Sequence, residues 1–110
     1  MAGPVVRIPG SHIHDWPSFH DVFSEVMGFP DFYGRNMNAW IDCMTYRDLD
    51  DGMARINVSP GEVITLLVDG AAALKQRCPE QYEALVRSSA FVNWRRIEAG
   101  EGSILALAFA

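Results

Sequence analysis

The side chains that could carry chemistry in this sequence are histidines, cysteines and aspartates, and most of them lack the neighbours that chemistry requires. His12 and His14 could supply two zinc ligands, but no cysteine or acid nearby has a matching spacing. Cys43 would need a base and electropositive surroundings to act as a nucleophile, whereas the adjacent Asp42 disfavours a thiolate. We therefore expect no metal site, and a buried structural thiol at position 43.

Asp69 is a further candidate because it directly follows the apolar run Val63–Val68. Functional groups of α/β proteins often lie where a buried strand ends, so Asp69 leaves open a small α/β enzyme with this carboxylate as acid or base. The simpler interpretation is that Asp69 caps the helix that starts near Ala71. The sequence contains no nucleophile–base pair, phosphate-binding glycine loop, C-x-x-C or H-E-x-x-H motif. We therefore expect a protein that is not an enzyme and binds no cofactor.

The excess of acidic residues lies entirely in the first half of the chain. The 110 residues carry a net charge of −5; residues 1–52 hold eight acids and three bases, and residues 53–110 hold six of each. Nucleic-acid phosphates select basic faces, so this balance argues against a nucleic-acid partner and favours a basic protein. Asp42 stands out in this half because it lies within a predicted helix, next to a loop that contains Phe32 and Tyr33.

Cysteine content and apolar patterning indicate the compartment. Cys43 and Cys78 are too few for a disulfide framework. The chain does not open with a basic segment and an apolar run, and it contains no stretch of 18 apolar residues. These features predict a cytoplasmic protein with reduced thiols and no membrane partner.

The elements that must position these side chains begin with a strand and a helix. A β-branched run over residues 5–8 predicts a strand. Apolar residues at i, i+3, i+4, i+7 and i+8 then predict a helix over residues 16–27, with Asp15 as its cap and Gly28 as its stop. A second helix is predicted over residues 37–46, where the apolar stripe comprises Met37, Trp40, Ile41 and Met44, and Asn38 and Asp42 lie on the opposite face.

The second half of the chain contains two further strands and the helices between them. Residues 53–58 predict an extra short strand, and the apolar run 63–68 predicts a strand covered on both faces. Helices follow from Ala71 and Pro79, with a break at Ser88–Ser89, and residues 103–109 form a last apolar strand. Buried strands separated by helices imply parallel pairing. The whole order predicts one α/β domain over residues 1–110.

One segment of the sequence resembles a known family. Residues 29–44 read FPDFYGRNMNAWIDCM, and this loop-and-helix pattern resembles the barstar family, whose members are small cytoplasmic inhibitors of secreted ribonucleases such as barnase. The order of the other elements also fits, so the resemblance implies a three-stranded parallel sheet packed with three to four helices. Residues 46–62 look longer than the corresponding link in the family.

The resemblance implies inhibition by plugging of a nuclease active site. In the family, the loop and the second helix enter a site lined with bases, where an acidic surface imitates the phosphates of the substrate. Phe32 falls where the family has a partner-contacting aromatic, Asp42 on the acid that contributes most, and Gly34 on a glycine that shapes the loop.

The sequence also departs from the family pattern. Asn38 stands where the family has a second acid, and Ile41 where it has a tryptophan that packs on the nuclease. Periodicity places Ile41 in the core stripe, whereas the resemblance places it on the partner face. Alignment from the last strand puts Arg96 near the family's later partner-facing glutamate, with Glu98 close by. These departures imply a nuclease or toxin other than barnase, or a loss of inhibition.

The hypothesis from the sequence is an inhibitor of a basic ribonuclease or nuclease toxin. The inhibitor is expected to act as a monomer, without direct contact to nucleic acid. A barstar-like scaffold for another protein interaction, with no nuclease inhibition, stays open as the alternative. The residues expected to bind the partner are Phe32, Tyr33, Gly34, Arg35, Asn38, Ile41 and Asp42.

Overall fold

A computed structural model describes residues 2–45, 58–59 and 61–110. These residues form three strands, four α-helices and one turn of 3-10 helix over Gly10–His12. The extra strand predicted for residues 53–58 lies outside the described residues, apart from Val58. In chain order the elements are β1 (Ala2–Pro9), α1 (Trp16–Met27), α2 (Met37–Thr45), β2 (Val63–Asp69), α3 (Ala71–Arg77), α4 (Pro79–Glu98) and β3 (Leu105–Phe109).

The first helix begins and ends where its sequence signals predicted. The Ser18 backbone N–H donates to the Asp15 carboxylate at 2.9 Å, which satisfies one of the unpaired N–H groups of the first turn. At the other end Gly28 adopts a left-handed conformation with φ of 67°, which glycine adopts without the steric cost of a Cβ. The predicted break in the last helix is wrong, because α4 runs without interruption through Ser88 and Ser89, both of which are buried.

The three strands form one parallel sheet in the order β1–β2–β3. The predicted central position of the apolar strand is therefore confirmed, since β2 pairs with both neighbours. The register aligns Val6 with Leu66 and Leu66 with Leu107, so these side chains share one face of the sheet. The three parallel strands and four helices confirm the predicted α/β fold class.

Only one face of the sheet is fully buried, so the expectation that β2 is covered on both faces is wrong. Ile64, Leu66 and Val68 are completely buried, but the residues between them are only half-buried. The opposite face carries Val5, which is 65% exposed, and an ion pair between the side chains of Arg7 and Asp69 at 3.0 Å. A run of apolar residues thus predicted more burial than the alternation along the strand allows.

The core between the sheet and the helices is built around aromatic side chains. Phe19, Phe23 and Trp40 are almost completely buried, and the rings of Phe23 and Trp40 meet edge to face with centroids 5.6 Å apart. This contact joins α1 to α2, and α2 in turn packs against α4. Among the described residues, no helix is long and apolar enough to cross a membrane.

Candidate functional site

The loop between α1 and α2 turns its two adjacent aromatic side chains in opposite directions. The Tyr33 backbone N–H donates to the Pro30 carbonyl at 2.9 Å, which closes a tight turn. This turn leaves Phe32 76% exposed, while Tyr33 is only 8% exposed. Of the two aromatic residues predicted to bind a partner, the structure presents Phe32 at the surface and buries Tyr33.

Tyr33 anchors the loop to α1. Its ring packs against Phe29 with centroids 4.7 Å apart, and its hydroxyl lies 2.6 Å from Nδ1 of the buried His20. Burial raises the pKa of Tyr33, and burial together with the charge of Arg35 lowers the pKa of His20. We therefore assign the Tyr33 hydroxyl as donor to a neutral His20 ring.

Arg35 also anchors this loop to α1, through contacts at the protein surface. Its guanidinium donates to the Asp21 carboxylate at 2.7 Å and to the Pro17 carbonyl at 3.1 Å. The backbone of Arg35 has a positive φ of 55°, which is uncommon for a residue with a side chain. Arg35 was predicted to bind a partner, and the structure shows it engaged within the chain while still partly exposed.

Gly34 and Asn36 shape the entry to α2. The Asn36 carboxamide oxygen accepts from the Ala39 N–H at 2.8 Å, and its amide nitrogen donates to the Gly34 carbonyl at 3.2 Å. A Cβ at Gly34 would stand 3.3 Å from that amide nitrogen, which is closer than nine in ten real Cβ contacts. A side chain at this position would therefore press on the Asn36 amide that closes the loop.

The second helix presents a polar face beside the loop. Asn38 and Asp42 are exposed, whereas Trp40 and Cys43 are buried. Ile41 is half-buried and packs at the edge of the core, between the two positions that periodicity and the resemblance predicted for it. Cys43 and Cys78 are both buried and have free thiols.

A shallow pocket brings the loop and the helix together. It has a volume of about 180 Å³, and the residues that line it include the exposed Phe32 and Asp42. Gly34, Ala39 and the buried residues Tyr33 and Cys43 complete the lining. The two residues for which the resemblance implied the clearest partner contacts thus lie at one site.

Asp42 has a charged neighbour that the sequence did not reveal. Its Oδ1 accepts a hydrogen bond from Nη1 of Arg95 at 3.0 Å, so an ion pair crosses from α2 to α4. No spacing rule predicts this pair, because its members are 53 residues apart.

Two other predicted positions differ in the structure. Asp69 does not cap α3, since no side chain caps that helix and Asp69 pairs with Arg7 on the open face of the sheet. Arg96 is only 4% exposed, so it cannot take the place of a partner-facing residue, whereas Glu98 is exposed. In the part of the chain that the structure describes, no three histidine, cysteine or acidic side chains come together as metal ligands.

The fold and this site define a small α/β protein with an exposed loop and an exposed helix face. Contacts with α1 hold the loop in position. The chain belongs to the Barstar family, because the family model described as Barstar (barnase inhibitor) matches residues 3–100. The family therefore confirms the resemblance seen in residues 29–44 and extends it over most of the chain. A search of curated proteins finds no match to the chain.

The buried His20–Tyr33 pair predicts that acid weakens the fold. The pKa of His20 is lowered in the folded state, so near pH 6 the unfolded chain binds more protons than the folded one. The free energy of unfolding should therefore fall as the pH drops from about 7.5 to 5.5, through the ordinary histidine pKa near 6.5. Urea titrations across this range measure the slope. The variant His20→Asn, which cannot titrate, should show a shallower slope, and an unchanged slope would contradict this assignment.

Proposed function

We propose that the chain inhibits a ribonuclease or nuclease toxin by covering its basic active site with the loop and helix that carry Phe32 and Asp42. Membership of the family described as Barstar (barnase inhibitor) supports the class of partner. The observation that carries the proposal is the shared pocket of Phe32 and Asp42, which combines an aromatic face with a carboxylate. Such a pocket fits an arginine, lysine or protonated histidine of the partner.

The site is held in shape before any partner arrives. Tyr33 is fixed by His20, Arg35 by Asp21, and Asn36 by the first turn of α2. Because these contacts order the loop in advance, binding would lose little conformational entropy. A rigid surface with an exposed aromatic at its centre is typical of strong protein–protein contacts.

The proposed mechanism needs no catalysis by the chain itself. A nuclease that binds phosphate lines its active site with cations, and Asp42 would offer one of them a charge-assisted hydrogen bond in place of a phosphate oxygen. The inhibitor would act as a cytoplasmic monomer that binds the nuclease and not its nucleic acid. The net charge of −5 would speed its approach to a basic partner.

The direct test is inhibition of barnase, used as a representative ribonuclease, in an RNA cleavage assay. The purified chain should lower the cleavage rate in proportion to its amount, and inhibition should weaken at high salt because charge drives the encounter. The absence of binding and inhibition with barnase and with a panel of other basic ribonucleases would contradict the proposal and favour the scaffold alternative.

Replacing Phe32 with alanine should weaken nuclease binding by about ten- to a hundredfold, since aromatic side chains are frequent anchors of interfaces. Stability should change little because the ring is mostly in solvent. The matched control is Phe109→Ala, which removes a ring that is 50% exposed and lies beside Tyr82, near the opposite end of α4 from Arg95. Affinities from surface plasmon resonance decide the matter, and equal losses in the two variants would count against a specific role for Phe32.

A further inference from the structure

The ion pair between Asp42 and Arg95 changes what the proposed binding surface can offer. Arg95 Nη1 lies 3.0 Å from Asp42 Oδ1, and the two side chains are 32% and 57% exposed. The pair therefore stands at the surface, at the margin of the contact between α2 and α4. Within the described part of the chain, Asp42 Oδ2 and the Nε and Nη2 groups of Arg95 make no further hydrogen bond, so both partners keep groups that can bind something else.

The pair leaves the proposed surface close to neutral, although the chain as a whole is acidic. Arg95 offsets the charge of Asp42, and Asn38, one turn earlier on the same helix face, adds no charge. Arg35 and Asp21 form a second balanced pair beside the loop. A cation that approached Asp42 would come within a few ångström of the Arg95 guanidinium, and two like charges so close together repel.

We propose that Arg95 selects the partner of this surface. The surface fits a partner that offers a cation to Asp42 and, beside it, a carboxylate or another acceptor to Arg95. It discriminates against a cleft lined by bases alone, because Arg95 repels the cation that Asp42 attracts. This inference rests on the proposed function, since it names the class of nuclease surface that the same site would bind.

The test measures the affinity of four versions of the chain for barnase, whose phosphate-binding cleft serves as the basic probe. Arg95→Gln should bind barnase about tenfold more tightly than wild type, mainly through faster association, because a repelling charge is gone. Arg95→Lys keeps the charge and should stay within about threefold of wild type. Arg87→Gln changes the net charge equally on the same helix, where Arg87 pairs with Glu83, and should leave the affinity almost unchanged.

Each other outcome has a distinct meaning. Weaker or unchanged binding by Arg95→Gln would overturn the inference while leaving the proposed function intact, provided that wild type binds. Equal gains in Arg95→Gln and Arg87→Gln would also overturn it, because net charge alone would then explain both. Binding by Arg95→Gln but not by wild type would support both proposals, and binding by neither would overturn the inference and also count against the proposed function. Thermal melts of all four chains confirm that each is folded.

Discussion

Replacing Asp42 with alanine is expected to weaken binding of the nuclease partner by about a hundredfold and to leave the fold nearly unchanged. Truncating one member of a desolvated charge pair costs roughly 2–5 kcal/mol, a range that draws in part on barnase–barstar complexes, in which the inhibitor belongs to the same family. The substitution also leaves Arg95 without the acid that offsets its charge, which adds repulsion toward a basic partner. The loss should appear mainly as faster dissociation.

The fold should survive this substitution because the ion pair is exposed. Asp42 and Arg95 are 57% and 32% exposed, and exposed pairs stabilise proteins by at most about 1 kcal/mol. The matched control is Glu83→Ala, which breaks an exposed pair with Arg87 elsewhere on α4 and should not change binding. Affinity and a thermal melt are measured for both variants. Normal binding by Asp42→Ala, or an equal loss of affinity in the two variants, would contradict the proposal that Asp42 binds the partner.

Local signals predicted the helices well because they act over a few residues. The carboxylate of Asp15 and the flexible backbone of Gly28 set the ends of α1 directly, and Asn36 caps α2 in the same manner. The predicted break at Ser88–Ser89 was wrong because serine only weakly disfavours a helix interior, and burial of both serines within α4 outweighs that preference.

Properties that depend on contacts between residues far apart in the sequence were harder to predict. The apolar composition of β2 is compatible with a strand that is buried on both faces or on one face. The placement of the helices decides which of the two occurs. Periodicity likewise placed Asp42 on the polar face of its helix but could not show that Arg95 faces it from α4. The family pattern implied that Phe32 and Asp42 bind a partner, and the fold shows which neighbours offset their charge and which side chains are exposed.

The two adjacent arginines of α4 illustrate this difference, since only one of them reaches the surface. Arg96 is 4% exposed, and its guanidinium donates at 2.8 Å to the carbonyls of Thr45 and Gly102. Thr45 is the last described residue of α2, and it is buried. Arg96 therefore joins α2 to the segment that follows α4.

Arg96→Met should lower the free energy of unfolding by about 2–4 kcal/mol, as urea denaturation would measure. The methionine keeps an apolar stem, but the carbonyls of Thr45 and Gly102 lose a charged donor, and hydrogen bonds to charged groups contribute roughly 1.5–3 kcal/mol each. Arg95→Met is the control one residue earlier, and it should cost less than about 1 kcal/mol because its ion pair is exposed. Equal losses in both variants would show that Arg96 does not hold α2. If Arg96 does hold α2, a buried arginine on another helix fixes the position of Asp42. Residues that never touch the partner then stabilise the proposed binding surface.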